Sequence, residues 1–132
     1  MSDTSSRSGA RAVPGNHADQ PTVLTDSQFQ SRCDGVLAAV EAALDRWLQQ
    51  DEIDIDTQRT GGLLELVFPG GSKIVVNTQP PLHELWLAAR TGGYHFRLVG
   101  ERWVDSRSGG EFFAVLSREI SAQAGRPLTI TP

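Results

Sequence analysis

The stretch Gly61-Gly-Leu-Leu-Glu-Leu-Val-Phe-Pro-Gly-Gly-Ser-Lys-Ile-Val-Val-Asn77 decides the architecture of this chain, because its apolar residues alternate between glycine-marked turns. Leu64, Leu66 and Phe68 alternate with Leu63, Glu65 and Val67, and successive side chains of a strand point to opposite faces. Gly61-Gly62 marks a hairpin before this strand, and Pro69-Gly70-Gly71 makes the turn after it. Lys73–Asn77 then continues the meander with Ile74 and Val76 on one face. Working backward, Ile53 and Ile55 alternate with Glu52, Asp54 and Asp56, the pattern of a half-buried strand. Working forward, Pro80-Pro81 breaks the ladder, since proline has no N–H to donate. Three further strands are expected at about His83–Ala89, Tyr94–Val99 and Arg102–Val104.

Beyond this meander the period becomes helical. Thr25 or Asp26 caps a first helix, in which Phe29, Cys33, Val36, Val40, Leu44 and Trp47 recur in steps of three and four. Gly35 costs that helix about 1 kcal/mol relative to alanine, which its long apolar face absorbs. A last helix starts near Gly110, carries Phe112, Phe113, Leu116 and Ile120 as a stripe, and stops at Gly125. Short connections forbid parallel crossovers within the meander. Each helix has one apolar stripe and only one sheet is available, so both cover the same sheet face. The expected fold is α+β: a two-layer sandwich of two helices on an antiparallel sheet of about six strands. The other sheet face is left open.

Residues 1–24 are rich in Ser, Gly, Ala, Pro and Asn without periodicity, and read as a disordered leader before a domain spanning 25–132. They carry no apolar h-region, and no run in the chain approaches the length of a membrane span. The single cysteine, Cys33, rules out an internal disulfide and a cysteine-based zinc site, and fits a cytoplasmic protein. Net charge is −4, unevenly spread: residues 25–56 hold eight acids against Arg32 and Arg46, whereas residues 57–132 hold six acids and eight bases. An acidic front argues against nucleic acid there, because phosphate contacts need the opposite sign.

Two constellations stand out. On the helix, Asp34, Glu41 and Asp45 are spaced by seven and four, along one edge. With Asp51, Glu52, Asp54 and Asp56 they form a candidate ridge from Asp34 to Asp56. Like charges at these spacings repel, which a cation or a basic partner surface relieves. Hard oxygen ligands suit Ca²⁺, Mg²⁺, Mn²⁺ or iron rather than zinc. A solvated face that keeps the protein soluble fits the same pattern. The second constellation is Asn77, Gln79, Glu84 and Trp86: if Leu85 and Leu87 face the helices, Trp86 projects from the open face, either as a binding hot spot or packed by cross-strand neighbours. No catalytic arrangement emerges. His17, His83 and His95 lack triad partners, the Gly pairs sit in hairpin turns, and Cys33 lies on the buried stripe. The chain is expected to be non-enzymatic.

Asn77-Thr-Gln-Pro-Pro-Leu-His-Glu-Leu-Trp-Leu-Ala-Ala89, followed by Gly92-Gly-Tyr-His-Phe96, resembles the frataxin family, most of all its bacterial members, over residues 26 to about 130. Gly71-Ser72-Lys73, Asn77, Gln79, Pro81, Trp86 and Leu87 match the family pattern. Glu84 departs from it, standing where glutamine is usual, and Ala42, Arg46 and Gln50 stand where carboxylates often occur. The resemblance implies Fe²⁺ or Fe³⁺ bound weakly at the exposed ridge of Asp34, Glu41, Asp45, Asp51, Glu52, Asp54 and Asp56. It implies docking of the cysteine desulfurase at that ridge, and contact with the desulfurase and the iron–sulfur scaffold protein through Asn77, Gln79, Glu84 and Trp86. The expected function is regulation of cluster assembly, with iron supply as an older proposal. A metal-independent protein-binding adaptor is the alternative, and a ferroxidase lacks the paired Glu-x-x-His it would need. A monomer is expected, or oligomers formed with iron, with neither membrane nor nucleic acid as partner.

Overall fold

A computed structural model describes residues 20–132. Residues 1–19 of the expected leader, His17 among them, lie outside the described residues. Within 20–24, Thr22 already joins the fold: its N donates to Leu98 O (2.7 Å) and its Oγ1 accepts from Gly100 N (2.8 Å).

Helix α1 spans Asp26–Gln49. Thr25 begins it with a capping box, its Oγ1 accepting from Gln28 N (3.1 Å) while Gln28 Oε1 accepts from Thr25 N (2.9 Å). Phe29, Cys33, Val36, Leu37, Val40, Ala43 and Leu44 form its buried stripe. At the other end Asp51 takes φ +59°, Glu52 N donates to Trp47 O (2.7 Å) and Asp51 N to Leu48 O (3.1 Å). This is a Schellman ending with aspartate in the place usually held by glycine.

Six antiparallel strands follow in sequential order: β1 Asp56–Thr60, β2 Leu63–Val67, β3 Lys73–Gln79, β4 Glu84–Ala89, β5 Gly92–Val99 and β6 Arg102–Asp105. Helix α2, Phe112–Ala124, is capped by Glu111, whose carboxylate accepts from Phe113 N (3.0 Å) and Ala114 N (3.3 Å). Leu64, Leu66, Ile74, Val76, Leu85, Leu87, Phe96, Leu98 and Trp103 point from the sheet into one core shared with both helices. The expected two-layer α+β fold is therefore observed. The C-terminal tail is sewn to α2 by two serines a turn apart: Ser121 Oγ accepts from Leu128 N (2.9 Å) and Ser117 Oγ from Ile130 N (2.9 Å), burying Leu128 and Ile130. No described helix is long and apolar enough to cross a membrane.

Two expectations need correction. Residues 52–55 are outside the ladder, and the first strand begins at Asp56, so Glu52, Asp54 and Asp56 do not share a strand face. Ile55 is buried and Ile53 half-buried because the loop presses them onto the core without pairing. His83 does not open β4 either. Pro80–Leu82 forms a single 3₁₀ turn, and His83 closes it at φ +51° before the strand begins at Glu84.

Candidate functional site: an acidic edge and an open sheet face

The expected ridge divides into paired and unpaired carboxylates. Arg59 of β1 shares its register with Leu64, so it lies on the helix side of the sheet and reaches α1. Its Nη2 donates to Asp34 Oδ1 and its Nη1 to Glu41 Oε1, each at 3.1 Å. Asp34 also accepts from Gln30 Nε2 at 3.0 Å. One guanidinium thus pairs with two of the three ridge carboxylates on α1 and ties the edge strand to that helix. Glu52 pairs with Arg126, whose Nη1 also donates to Glu52 O (2.7 Å). Asp45, Asp51, Asp54 and Asp56 are exposed, and none is ion-paired among the described residues. Asp56 stands opposite Val67 and so faces the open side of the sheet.

No group of three or more histidine, cysteine, aspartate or glutamate side chains among the described residues is placed to hold a metal ion together. The donor set at this edge is oxygen only and solvent-exposed. It suits a hard cation held by one or two carboxylates with water completing the shell.

The second constellation assembles as one surface. Asn77, Trp86 and His95 are cross-strand neighbours on β3, β4 and β5, while Gln79, Glu84 and Arg97 form the next row. Leu85 and Leu87 are buried, which sends Trp86 to the open face. Its ring stacks on His95 with centroids 4.1 Å apart and planes within 8°, and its Nε1 donates to Glu84 Oε1 at 2.8 Å. Glu84, the departure from the family pattern, thus holds the indole, a role that a glutamine oxygen also fills. Trp86 is only half-buried: packed from one side and open on the other.

Arg59 is a functional candidate absent from the expected site residues, and His95, set aside above for want of triad partners, joins the Trp86 surface. The turn at Arg90–Thr91 places His95 opposite Trp86 by simple counting of alternate residues. Arg59 had no comparable signal, because the residues of β1 are all exposed and polar.

Asp105 supports the last hairpin from behind this face. Burial pushes its carboxyl up, but hydrogen bonds from Ser108 Oγ (2.7 Å), Ser108 N (2.9 Å) and His95 N (3.1 Å), with Arg107 nearby, outweigh it and hold the group below the ordinary aspartate value. Cys33 carries no chemistry. Burial, and secondarily Asp34, pushes its thiol up to about 12. Native protein at pH 8 is expected to resist a thiol reagent on the timescale at which a free cysteine reacts, with labelling that follows global unfolding. Above about pH 9 the unfolded thiol ionises while the folded one stays protonated, so this group lowers stability as pH rises. Rapid labelling under native conditions would contradict this placement.

The frataxin-like domain family model matches residues 22–126. The chain belongs to the frataxin-like family. It is 51% identical over 105 residues to the iron–sulfur cluster assembly protein CyaY of Verminephrobacter eiseniae, covering 80% of this chain and 96% of that relative. The protein of the same name from Variovorax paradoxus matches at the same identity and coverage. Among solved structures, frataxin from Psychromonas ingrahamii superposes with a TM-score of 0.73 at 32% identity, covering 83% of this chain and all of that one. Trimeric frataxin from Saccharomyces cerevisiae, complexed with ferrous iron, gives a TM-score of 0.63 at 25% identity, covering 86% of this chain and all of that one. As in these relatives, two helices pack on one antiparallel sheet.

Proposed function

We propose that this protein is a non-enzymatic, cytoplasmic iron-binding regulator of iron–sulfur cluster assembly. It acts by contact with the cysteine desulfurase and the scaffold protein, and brings iron to them. The observation that carries the reading is membership of a family whose bacterial relatives, at 51% identity, are named for cluster assembly. The yeast relative's complex with ferrous iron supports iron as the cation. Asp45, Asp51, Asp54 and Asp56 are the carboxylates available to it, because Asp34, Glu41 and Glu52 already face arginines. Those three acids contribute to the field that steers a basic partner surface toward this edge. Asn77, Gln79, Glu84 and Trp86 make the other contact surface on the open sheet.

The test is an anaerobic Fe²⁺ titration of the wild type beside a variant in which Asp45, Asp51, Asp54 and Asp56 are replaced by asparagine. Asparagine tolerates the left-handed backbone at position 51, and removing like charges relieves repulsion, so the variant should fold. Iron affinity is expected to fall by at least about tenfold, of the order of one lost charge-assisted ligand. Cluster assembly rates, measured across iron concentrations, should lose their dependence on the protein. Unchanged iron binding in this variant would remove the edge from the account.

A further inference from the structure

The far edge of the open face carries charge of the opposite sign. Arg97 of β5 stands opposite Val104, and Arg102 of β6 opposite Val99, so the two arginines are diagonal neighbours on the outer side of the last hairpin. Such diagonal positions lie about 7–8 Å apart. With Arg107 of the next turn they line a cleft of about 630 Å³, floored by Val99 and Val104. Arg97 and Arg102 therefore border one cleft with no carboxylate within ion-pair distance among the described residues, while the Arg107 guanidinium is turned to Gly93, its Nη2 donating to Gly93 O (3.3 Å).

The acids nearby are already engaged. Asp105 is 3% exposed, with Oδ1 held by His95 N and Oδ2 by Ser108. Glu84 faces Arg97 in register, but its Oε1 accepts the Trp86 indole. Glu101, beside Arg102 in the turn, pairs with Arg32 of α1 instead. Arg97 and Arg102, neither held in an ion pair among the described residues, present planar forks that match a carboxylate with two parallel hydrogen bonds.

We propose that the outer face of the β5–β6 hairpin docks a carboxylate-rich extended segment of a partner protein. Alternate residues of an extended chain repeat every ~6.6 Å, close to the diagonal spacing of Arg97 and Arg102. Acids at positions i and i+2 then meet the two arginines, and the intervening side chains lie over the two valines. A nucleic acid fits less well, because its run of phosphates continues past the arginines onto the part of this face that carries Glu84 and Glu65, whereas two carboxylates of a peptide end at the arginine pair. The surface is separate from the acidic edge, so a basic partner and an acidic partner segment can be held at once, at opposite edges of one sheet.

The experiment uses the full chain, labelled with ¹⁵N, titrated with a seven-residue peptide bearing glutamate at alternate positions. Amide shifts should concentrate in residues 97–108, and affinity should weaken several-fold as salt screens the pairs. Arg97→Gln with Arg102→Gln should lower affinity by at least about tenfold, in the range of truncated interface arginines. Arg90→Gln, an exposed arginine outside the cleft, should leave it unchanged. Equal unfolding midpoints for these variants show that the loss is local. Shifts elsewhere on the molecule, or an unaltered affinity in the double variant, would overturn the proposal. Inorganic phosphate producing the same shifts at the same affinity, or a single-stranded oligonucleotide binding there more tightly than the peptide, would also overturn it.

Discussion

Replacing Phe29 by alanine is expected to remove about 3–5 kcal/mol of folding stability, the range for a fully buried aromatic. Phe29 is 1% exposed and joins three parts of the fold. It leaves α1, stacks on the His83 ring at 4.8 Å and 10°, and meets Trp103 of β6 edge-on at 6.0 Å. Aromatic pairs in these geometries add to their burial. His83 is itself in the left-handed region and holds Asp26 Oδ1 through Nε2 at 2.8 Å, so the ring locks the 3₁₀ turn to the start of the helix. Its loss leaves a cavity that neighbouring strands cannot close, because they are fixed by the ladder on either side. Against the 5–15 kcal/mol that ordinary domains possess, such a loss is a large fraction of the total. Chemical denaturation should show a lower midpoint with an unchanged slope. A loss under about 1 kcal/mol would show that the entry of α1 is not packed as described.

The same contacts explain which parts of the fold could be read from the chain. Leu64, Leu66, Ile74, Val76, Leu85 and Leu87 alternate because one face of β2, β3 and β4 is buried, and the pattern reports that burial directly. The first strand escaped because nothing in it is buried. Asp56–Thr60 is all exposed, and its place is set by backbone pairing to β2 and by the reach of Arg59 to α1, neither of which leaves a hydrophobic period. Ile53 and Ile55 imitate a strand because a loop pressed against a core can also bury every second residue. His83 directly precedes the alternating residues of β4, yet the prolines before it dictate a turn that it closes.

For the site, identity was easier to read than state. Asp34, Glu41 and Asp45 line one edge of α1 as their spacing implies, Glu52, Asp54 and Asp56 do not share the strand face expected of them, and the arginine partners come from residues far along the chain. Arg59 and Arg126 reach Asp34, Glu41 and Glu52 only after folding. Spacing within one element shows which charges are neighbours, and it is silent about a counter-ion delivered by another element. The edge is therefore an arginine-buttressed set of Asp34, Glu41 and Glu52, with Asp45 on α1, Asp51 and Asp54 after it and Asp56 at the start of β1 not ion-paired among the described residues. That arrangement keeps the field negative while the fold tolerates the density of charge.

Replacing Trp86 by alanine is expected to weaken binding to the desulfurase–scaffold complex by about 30-fold or more, the loss of at least 2 kcal/mol that marks an interface hot spot. The ring is set before any partner arrives. His95 covers one face at 4.1 Å and Glu84 holds the indole N–H at 2.8 Å, so little rotamer freedom remains to be lost on docking. Asn77 and Gln79, half-buried in the adjoining strand, offer amides that hydrogen-bond in either direction at the rim of this apolar anchor. The cost to folding should be much smaller, about 1–2 kcal/mol, because Trp86 is only half-buried and the core beneath is supplied by Leu85 and Leu87. Trp86→Phe separates area from hydrogen bonding: it keeps a ring over His95 but frees Glu84, whose charge then faces the partner unengaged. Intermediate affinity in that variant would assign the ring's contribution to packing and the remainder to the Glu84 bond. Calorimetric titration against the desulfurase–scaffold complex, beside unfolding of each variant, reads both quantities. Wild-type affinity in Trp86→Ala would place the docking surface away from the open sheet, and would leave the aspartate edge to carry partner recognition alone.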